Sequence, residues 1–153
     1  MVKHVDVRQL KNAGLKTTLP RLKILDIFER QAGQHLSAED VFNIMQTTGE
    51  NVGLATVYRV LTQFEAAGLL IRHHFEEGKA IFELNCKAHH DHIVCVNCGH
   101  VEEFYDDEIE RRQELAAAAL EFQIQEHALT LYGICQKKNC QRKQLAAQPK
   151  MKF

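Results

Sequence analysis

No stretch of this chain is apolar for long enough to cross a bilayer, and the first ten residues, Met1 to Leu10, hold no apolar run of signal-peptide length. The expectation is therefore a cytoplasmic chain without a membrane partner, in a compartment that keeps thiols reduced. Charge of one sign is also scarce. Nineteen Lys+Arg against 20 Asp+Glu leave a formal net charge of −1, which excludes a global attraction to nucleic acid. Several catalytic signatures are missing as well. Zinc deaminases pair His-x-Glu with Pro-Cys-x-x-Cys, but here His92 is followed by Ile93 and Val94, and no proline precedes Cys95. Haem attachment needs Cys-x-x-Cys-His, and Gly99 separates Cys98 from His100. No helical His-Glu-x-x-His occurs either. The chain is expected not to be an enzyme.

What is present begins with cysteine. Cys95 and Cys98 are two residues apart, Cys135 and Cys140 four apart, and Gly99 lets the chain turn back after the first pair. In a reducing compartment this spacing points to a closed tetrahedral zinc site that contributes folding energy. Two disulfides are the alternative. Four thiolates would leave no open position for hydrolysis. Cys86 is left over, as a buried thiol, an extra ligand or neither. Immediately before the first pair lies His89-His90-Asp91-His92, a nitrogen and oxygen cluster suited to a harder, exchangeable ion. Side chains alternate in an extended segment, so His90 and His92 share one face while His89 and Asp91 share the other. One short stretch can thus feed two metal sites. Glu102 and Glu103 alternate in the same way, and Glu110 and His127 offer further donors.

The chain of 153 residues, 45% of them apolar, allows one medium domain or two small ones. Charge divides it unevenly: residues 1–30 carry seven basic against three acidic groups, residues 31–84 three against seven, and residues 85–153 nine against ten. Any phosphate contact must lean on the N-terminal third. A helical stripe runs from Leu19 to Arg30, with Thr18 as N-cap and Pro20 in the first turn. Ser37-Ala-Glu-Asp40 resembles a capping box opening a helix that ends near Gly49. A third helix is expected from about Leu54 to Ala67, stopped by Gly68. Strands over Leu69 to Phe75 and Ala80 to Leu84 then flank a turn at residues 76–79. Helices followed by a β-hairpin are the order of a winged helix-turn-helix, whose last helix enters the major groove. Beyond residue 84 the pattern predicts strands over Ile93 to Val96 and His100 to Tyr105, and a helix from Asp106 to about Leu120. A last strand is expected over Ile124 to Tyr132, carrying His127, and a flexible tail over 141–153.

Taken together, residues Lys11 to Leu25, Ser37 to Asp40, Gly53 to Leu61, His89 to His92 and Cys95-x-x-Cys-Gly99 resemble the ferric uptake regulator family, in its four-cysteine subgroup. The likeness runs from about Lys11 to Cys140. It implies an α+β chain: a winged helix-turn-helix DNA-binding domain over residues 1–84, then a small α/β metal-binding dimerisation domain over 85–140. The implied function is a dimeric, metal-dependent repressor that senses intracellular Fe(II), binds a palindromic A/T-rich operator and controls iron-uptake genes. Whether the assembly is a dimer or a tetramer stays open. The resemblance gives structural Zn²⁺ to Cys95, Cys98, Cys135 and Cys140. It gives a regulatory Fe²⁺, replaceable in vitro by Mn²⁺ or Zn²⁺, to His35, Glu83, His90, His92 and Glu103, and an additional site to His89, Asp91, Glu110 and His127. This division agrees with the alternation argument.

For DNA, the resemblance points to Tyr58 and Arg59 at base edges. Arginine reads guanine bidentately and an aromatic ring packs on a thymine methyl. Core packing is the other role open to Tyr58, between Val57 and Leu61. Thr56 is a phosphate or base contact, Lys16 reaches a narrow A/T-rich minor groove and Arg21 binds phosphate in this reading. Cys86 near the regulatory ligands raises a zinc-sensing relative, since thiolate favours zinc, whereas Glu83, His90, His92 and Glu103 follow the iron-sensor pattern. The peroxide-sensing branch typically has Asp where Glu103 stands. A zinc-stabilised interaction module and a metal buffer are the readings without DNA.

Overall fold

The computed structural model describes residues 7–31, 33–75, 78–86 and 88–136. The chain divides into two compact units between Lys87 and Ala88.

The first unit begins with helices α1 (Val7–Asn12) and α2 (Leu19–Arg30). The short strand β1 (Leu36–Ser37) leads directly into α3 (Ala38–Thr47), and α4 (Leu54–Ala66) is followed by strands β2 (Leu70–His74) and β3 (Ala80–Leu84). The second helix has the bounds its apolar stripe predicts. Thr18 occupies its N-cap with extended backbone, but its side chain makes no capping hydrogen bond. The capping box before α3 is complete. The Asp40 amide donates to Ser37 Oγ at 3.1 Å, and the Ser37 amide donates to Asp40 Oδ2 at 2.9 Å. Two donors that an isolated helix end would leave open are thereby satisfied. Replacing Ser37 by alanine removes one of them, with an expected cost of about 1 kcal/mol. The check is a denaturant midpoint that falls while its slope stays constant.

Gly68 follows α4 at φ 74°, a left-handed position that glycine adopts without strain, and it turns the chain into the hairpin. Strands β1, β3 and β2 form an antiparallel sheet in that order. Helix α1 and strand β1 lie outside the elements predicted from periodicity. The first presents a single buried anchor, Leu10, and the second is two residues long. Neither gives a window in which a period can register. Leu10, Ile24, Leu25, Phe28, Val41, Met45, Val57, Leu61, Phe64 and Phe82 form the centre of one apolar core. Every helix in the unit contributes to it.

In the second unit β4 (Asp91–Cys95) is central. It pairs antiparallel with β5 (Val101–Phe104) and parallel with β6 (Thr130–Gly133), and α5 (Asp107–Ala119) makes the crossover. Asp106 caps α5 by accepting from the amides of Glu108 and Ile109. The last strand is shorter than expected and begins at Thr130, so His127 precedes it rather than lying on it. The cause is the partner. Thr130 is opposite His92, and β4 extends only one residue further back, so residues 124–128 have no strand to form a ladder with. Among the described residues no helix is long and apolar enough to cross a membrane.

Candidate metal centres and nucleic-acid interface

The cysteine centre is assembled by strand register. The parallel pairing of β4 and β6 sets Cys95 opposite Gly133, so Cys135 arrives two residues further on. The turn after β4 returns Cys98 to the same point. Its closure is fixed by Gly99, at φ 73°, whose amide donates to the Cys95 carbonyl at 2.7 Å. The sulfurs of Cys95, Cys98 and Cys135 all lie within 4.8 Å of one another. Cys98 Sγ and Cys135 Sγ are 3.7 Å apart. Two thiolates on a tetrahedral zinc with bonds of about 2.3 Å stand about 3.8 Å apart, whereas a disulfide would bring them to about 2.0 Å. No two of these three sulfurs are joined, so they do not adopt the disulfide alternative with one another. The Cys135 amide donates to Cys95 Sγ at 3.3 Å. That bond is the main cause lowering the Cys95 thiol from 9.0 to about 6, with the amides of Cys98 and Asn97 adding to it. A thiolate is the form that binds metal. Cys140 lies outside the described residues. Cys86 is exposed and joins no donor cluster among the described residues.

A second centre in the same unit gathers His89, Asp91, Glu110 and His127, each offering a donor atom within 4.8 Å of the others. Strand β4 supplies Asp91, the first turn of α5 supplies Glu110, and His89 and His127 come from segments outside any helix or strand. His89 Nε2 is 3.4 Å from Asp91 Oδ1 and 3.3 Å from Glu110 Oε1, and His127 Nε2 is 3.2 Å from Glu110 Oε2. Around one ion with bonds near 2.1 Å, adjacent donors stand roughly 3.0–3.4 Å apart. Burial carries the stronger argument. Asp91 is fully buried, yet neither carboxylate oxygen has a hydrogen-bond partner among the described residues, and Glu110 Oε1 and His127 Nε2 share that condition. A buried carboxylate without a hydrogen bond is costly, and a divalent cation at this point would satisfy these atoms together.

The five residues expected at the regulatory site fall in both units. In the first, β1 pairs with β3 so that Leu36 is opposite Phe82. One step back along the same register sets His35 opposite Glu83. Their side chains meet at 2.7 Å between His35 Nε2 and Glu83 Oε2, each only 3% exposed. In the second unit His92 is opposite Glu103 across β4 and β5. His90 Nε2 is 3.7 Å from Glu103 Oε1, and the rings of His90 and His92 are 4.9 Å apart. His90 Nδ1 lies 3.0 Å from the Ala88 carbonyl. A carbonyl only accepts, so Nδ1 carries the hydrogen, and the ring turns Nε2 towards Glu103. Alternation therefore separates His90 and His92 from His89 and Asp91, as the extended segment required.

The surface of α4 is divided cleanly. Val57, Val60, Leu61 and Phe64 are buried, while Tyr58 and Arg59 are exposed. At 42% exposure Tyr58 is not a core residue. Its hydroxyl donates to Glu39 Oε1 at 3.0 Å. The bond raises the phenol pKa; Glu39 in turn is lowered, first by a backbone hydrogen bond and also by Tyr58. Glu39 was not singled out by sequence reasoning, and only the packing of α3 beside α4 brings it there. Thr56 is half-buried in the first turn. Lys16 is exposed on the loop before α2. Arg21 does more within the fold than a phosphate contact requires. Its Nη1 donates to the Lys16 carbonyl at 2.7 Å, and its Nε and Nη2 donate to Gln63 Oε1 at 3.3 and 2.8 Å. Arg21 thus ties the Lys16 loop to α4.

Comparison with known proteins gives concordant results. The model of the ferric uptake regulator family matches residues 12–132. The chain is 62% identical over 131 residues to the ferric uptake regulation protein of Cupriavidus metallidurans, covering 86% of this chain and 92% of that one. It superposes on the crystal structure of the Vibrio cholerae ferric uptake regulator with a TM-score of 0.77 at 55% identity, over 84% of this chain and 98% of that chain. The Pseudomonas aeruginosa ferric uptake regulator, solved with manganese, gives a TM-score of 0.72 at 51% identity, over 87% and 99% of the two chains.

Proposed function

The chain belongs to the ferric uptake regulator family, a family of non-enzymatic regulators, and from that premise we propose that it is a dimeric repressor whose operator binding depends on Fe²⁺. The observation that carries the reading is the buried His35–Glu83 pair on the wing sheet of the helical unit. Neither side chain serves the apolar core, and neither is on the exposed face of α4. A nitrogen and an oxygen donor at this place are an incomplete ligand set. His90, His92 and Glu103 form a second incomplete set in the other unit. In this proposal the two sets share one regulatory ion, and sharing it fixes the angle between the units. Two recognition helices in a dimer then match successive turns of a palindromic duplex. Nitrogen and oxygen ligands accept Fe²⁺, Mn²⁺ and Zn²⁺, and availability decides among them.

The remaining assignments follow the same logic. Cys95, Cys98 and Cys135, with Cys140 as the fourth thiolate, hold structural zinc. His89, Asp91, Glu110 and His127 hold an additional divalent ion. Dimerisation through the second unit is supported by its surface, where Leu115, Leu120 and Phe122 are 51%, 71% and 73% exposed and α5 buries none of its residues. A monomer gains nothing from that apolar area. For DNA, α4 lies in the major groove with Tyr58 and Arg59 at base edges. Thr56 and Lys16 make the accompanying contacts, and Arg21 positions Lys16 while its remaining N–H groups face phosphate. An Arg59→Ala variant is expected to lose about 1–3 kcal/mol of operator affinity, roughly 5- to 150-fold, and to relax the base preference at one position of each half-site. A competition series of single-base operator variants checks this.

The experiment that tests the reading is anaerobic fluorescence anisotropy on a labelled palindromic A/T-rich duplex, at fixed salt because phosphate contacts make affinity strongly salt-dependent. Zinc-loaded protein is titrated without added metal, then with Fe²⁺, Mn²⁺ and Zn²⁺, beside a scrambled duplex. Tight binding with Fe²⁺ or Mn²⁺, lost on chelating the labile ion alone, is the expected result. A response to low free Zn²⁺ only makes the chain a zinc sensor. No specific binding under any ion, with zinc and the dimer intact and a wider operator search empty, makes it an interaction module.

A further inference from the structure

His73 is not among the ligands assigned above, yet it touches one of them. It lies on β2, whose register sets Ile71 opposite Glu83 and His73 opposite Ile81. His73 is therefore the diagonal cross-strand neighbour of Glu83 on the same face of the sheet, within reach of a long side chain. Its Nε2 is 2.7 Å from Glu83 Oε1. The other oxygen, Oε2, is the one 2.7 Å from His35 Nε2. The His73 ring is in turn stacked on Phe75, with centroids 5.5 Å apart and planes 7° from parallel. A side chain that served only to fill space would need neither the directed nitrogen nor the matched ring plane.

We propose that His73 is a positioning residue for the regulatory centre: it engages Glu83 Oε1 and so aims Oε2 at the ion shared with His35. The inference rests on the reading of Glu83 and His35 as ligands. An ionised carboxylate only accepts, so at this distance His73 Nε2 carries the hydrogen and donates it. The bond restrains rotation of the carboxylate about its terminal torsion, which is otherwise broad. Oε2 is left as the oxygen that faces His35. The stacked Phe75 ring fixes the imidazole plane and hence the direction of the donor. Partners of this kind, bonded to a ligand and not to the ion, typically contribute about 10–100-fold in metal affinity.

The test uses full-length, zinc-loaded protein and Mn²⁺ as the probe, with free Mn²⁺ read by electron paramagnetic resonance. A Glu83→Gln variant identifies which step of the binding isotherm belongs to the regulatory centre. That same step is expected to weaken about 10–100-fold in His73→Leu and to return close to the parent value in His73→Gln, whose amide offers an N–H at a similar reach. The step assigned to the other nitrogen and oxygen site is expected to stay in place. A His73→Leu isotherm that overlays the parent while Glu83→Gln loses its step overturns the positioning role and leaves Glu83 a ligand. Equal weakening in His73→Gln and His73→Leu also overturns it, because the ring and not its donor would then matter. If Glu83→Gln itself overlays the parent, Glu83 is not a ligand, and the inference falls with that reading.

Discussion

A Cys98→Ser variant is expected to lose its zinc and the fold of the second unit with it. The reason is how little else holds that unit. Among its described residues the buried apolar side chains are Val94 and Cys95, and α5 buries none. A unit of this size with so small a core depends on metal or on a partner. Structural zinc in small domains contributes on the order of 10–16 kcal/mol, as much as a typical domain's whole stability. The first unit has its own core of helices α1 to α4 and the wing sheet, so it should keep a separate unfolding transition. Zinc content, circular dichroism on heating and limited proteolysis check the result together. The expected outcome is no bound zinc, loss of the dimer and a protected fragment ending near Lys87. Retained zinc with an unchanged melting profile would show that the thiolates are not what holds the unit together. Acid acts on the same centre. The Cys95 thiol is lowered from 9.0 to about 6, chiefly by the Cys135 amide. Its contribution to stability is therefore complete above the ordinary thiol value and is lost as pH falls through about 6. Bound zinc competes with the proton for the same sulfur, so zinc release is expected below that pH.

The second large effect is expected from Glu83→Gln. The substitution keeps size and an acceptor but removes the charge that attracts a divalent ion. In the proposed mechanism, without the shared ion the units sample many angles and only a fraction suit the duplex. A competent fraction of about one-hundredth lowers apparent affinity about 100-fold. The variant should therefore bind operator as weakly with Mn²⁺ as the parent does without it, while zinc content and oligomeric state remain those of the parent. Anisotropy with and without Mn²⁺, beside zinc analysis and sedimentation, separates the possibilities. Metal-dependent DNA binding that survives the substitution would remove Glu83 from the mechanism. Loss of the zinc or the dimer would mean that the residue supports the fold instead.

Much of the local structure was legible before any contact was known. Helix α2 spans Leu19–Arg30, the range its apolar period indicates. The capping box at Ser37 and Asp40 and the stop at Gly68 are short-range signals, each decided within a few residues. The separation of His90 and His92 from His89 and Asp91 needed only the alternation of an extended chain. Helix α1 and strand β1 were illegible for the opposite reason, since a two-residue strand exists only because β3 lies beside it. The same holds for His127, placed on a strand by its apolar neighbours and found before one because β4 gives residues 124–128 nothing to pair with.

By itself, then, the sequence determined the kinds of donor available, their grouping along each local segment and the order of elements that carries them. Which donors meet was decided by tertiary structure. His35 reaches Glu83 across 48 positions of chain because β1 pairs with β3 in one register, and a shift by one residue would turn the two side chains to opposite faces. Cys135 reaches Cys95 and Cys98 because β6 runs parallel to β4, an arrangement that a crossover through α5 permits and no spacing encodes. His73 is the same case in miniature: two adjacent histidines look alike in the sequence, and the pleat directs one to Glu83 and the next to solvent.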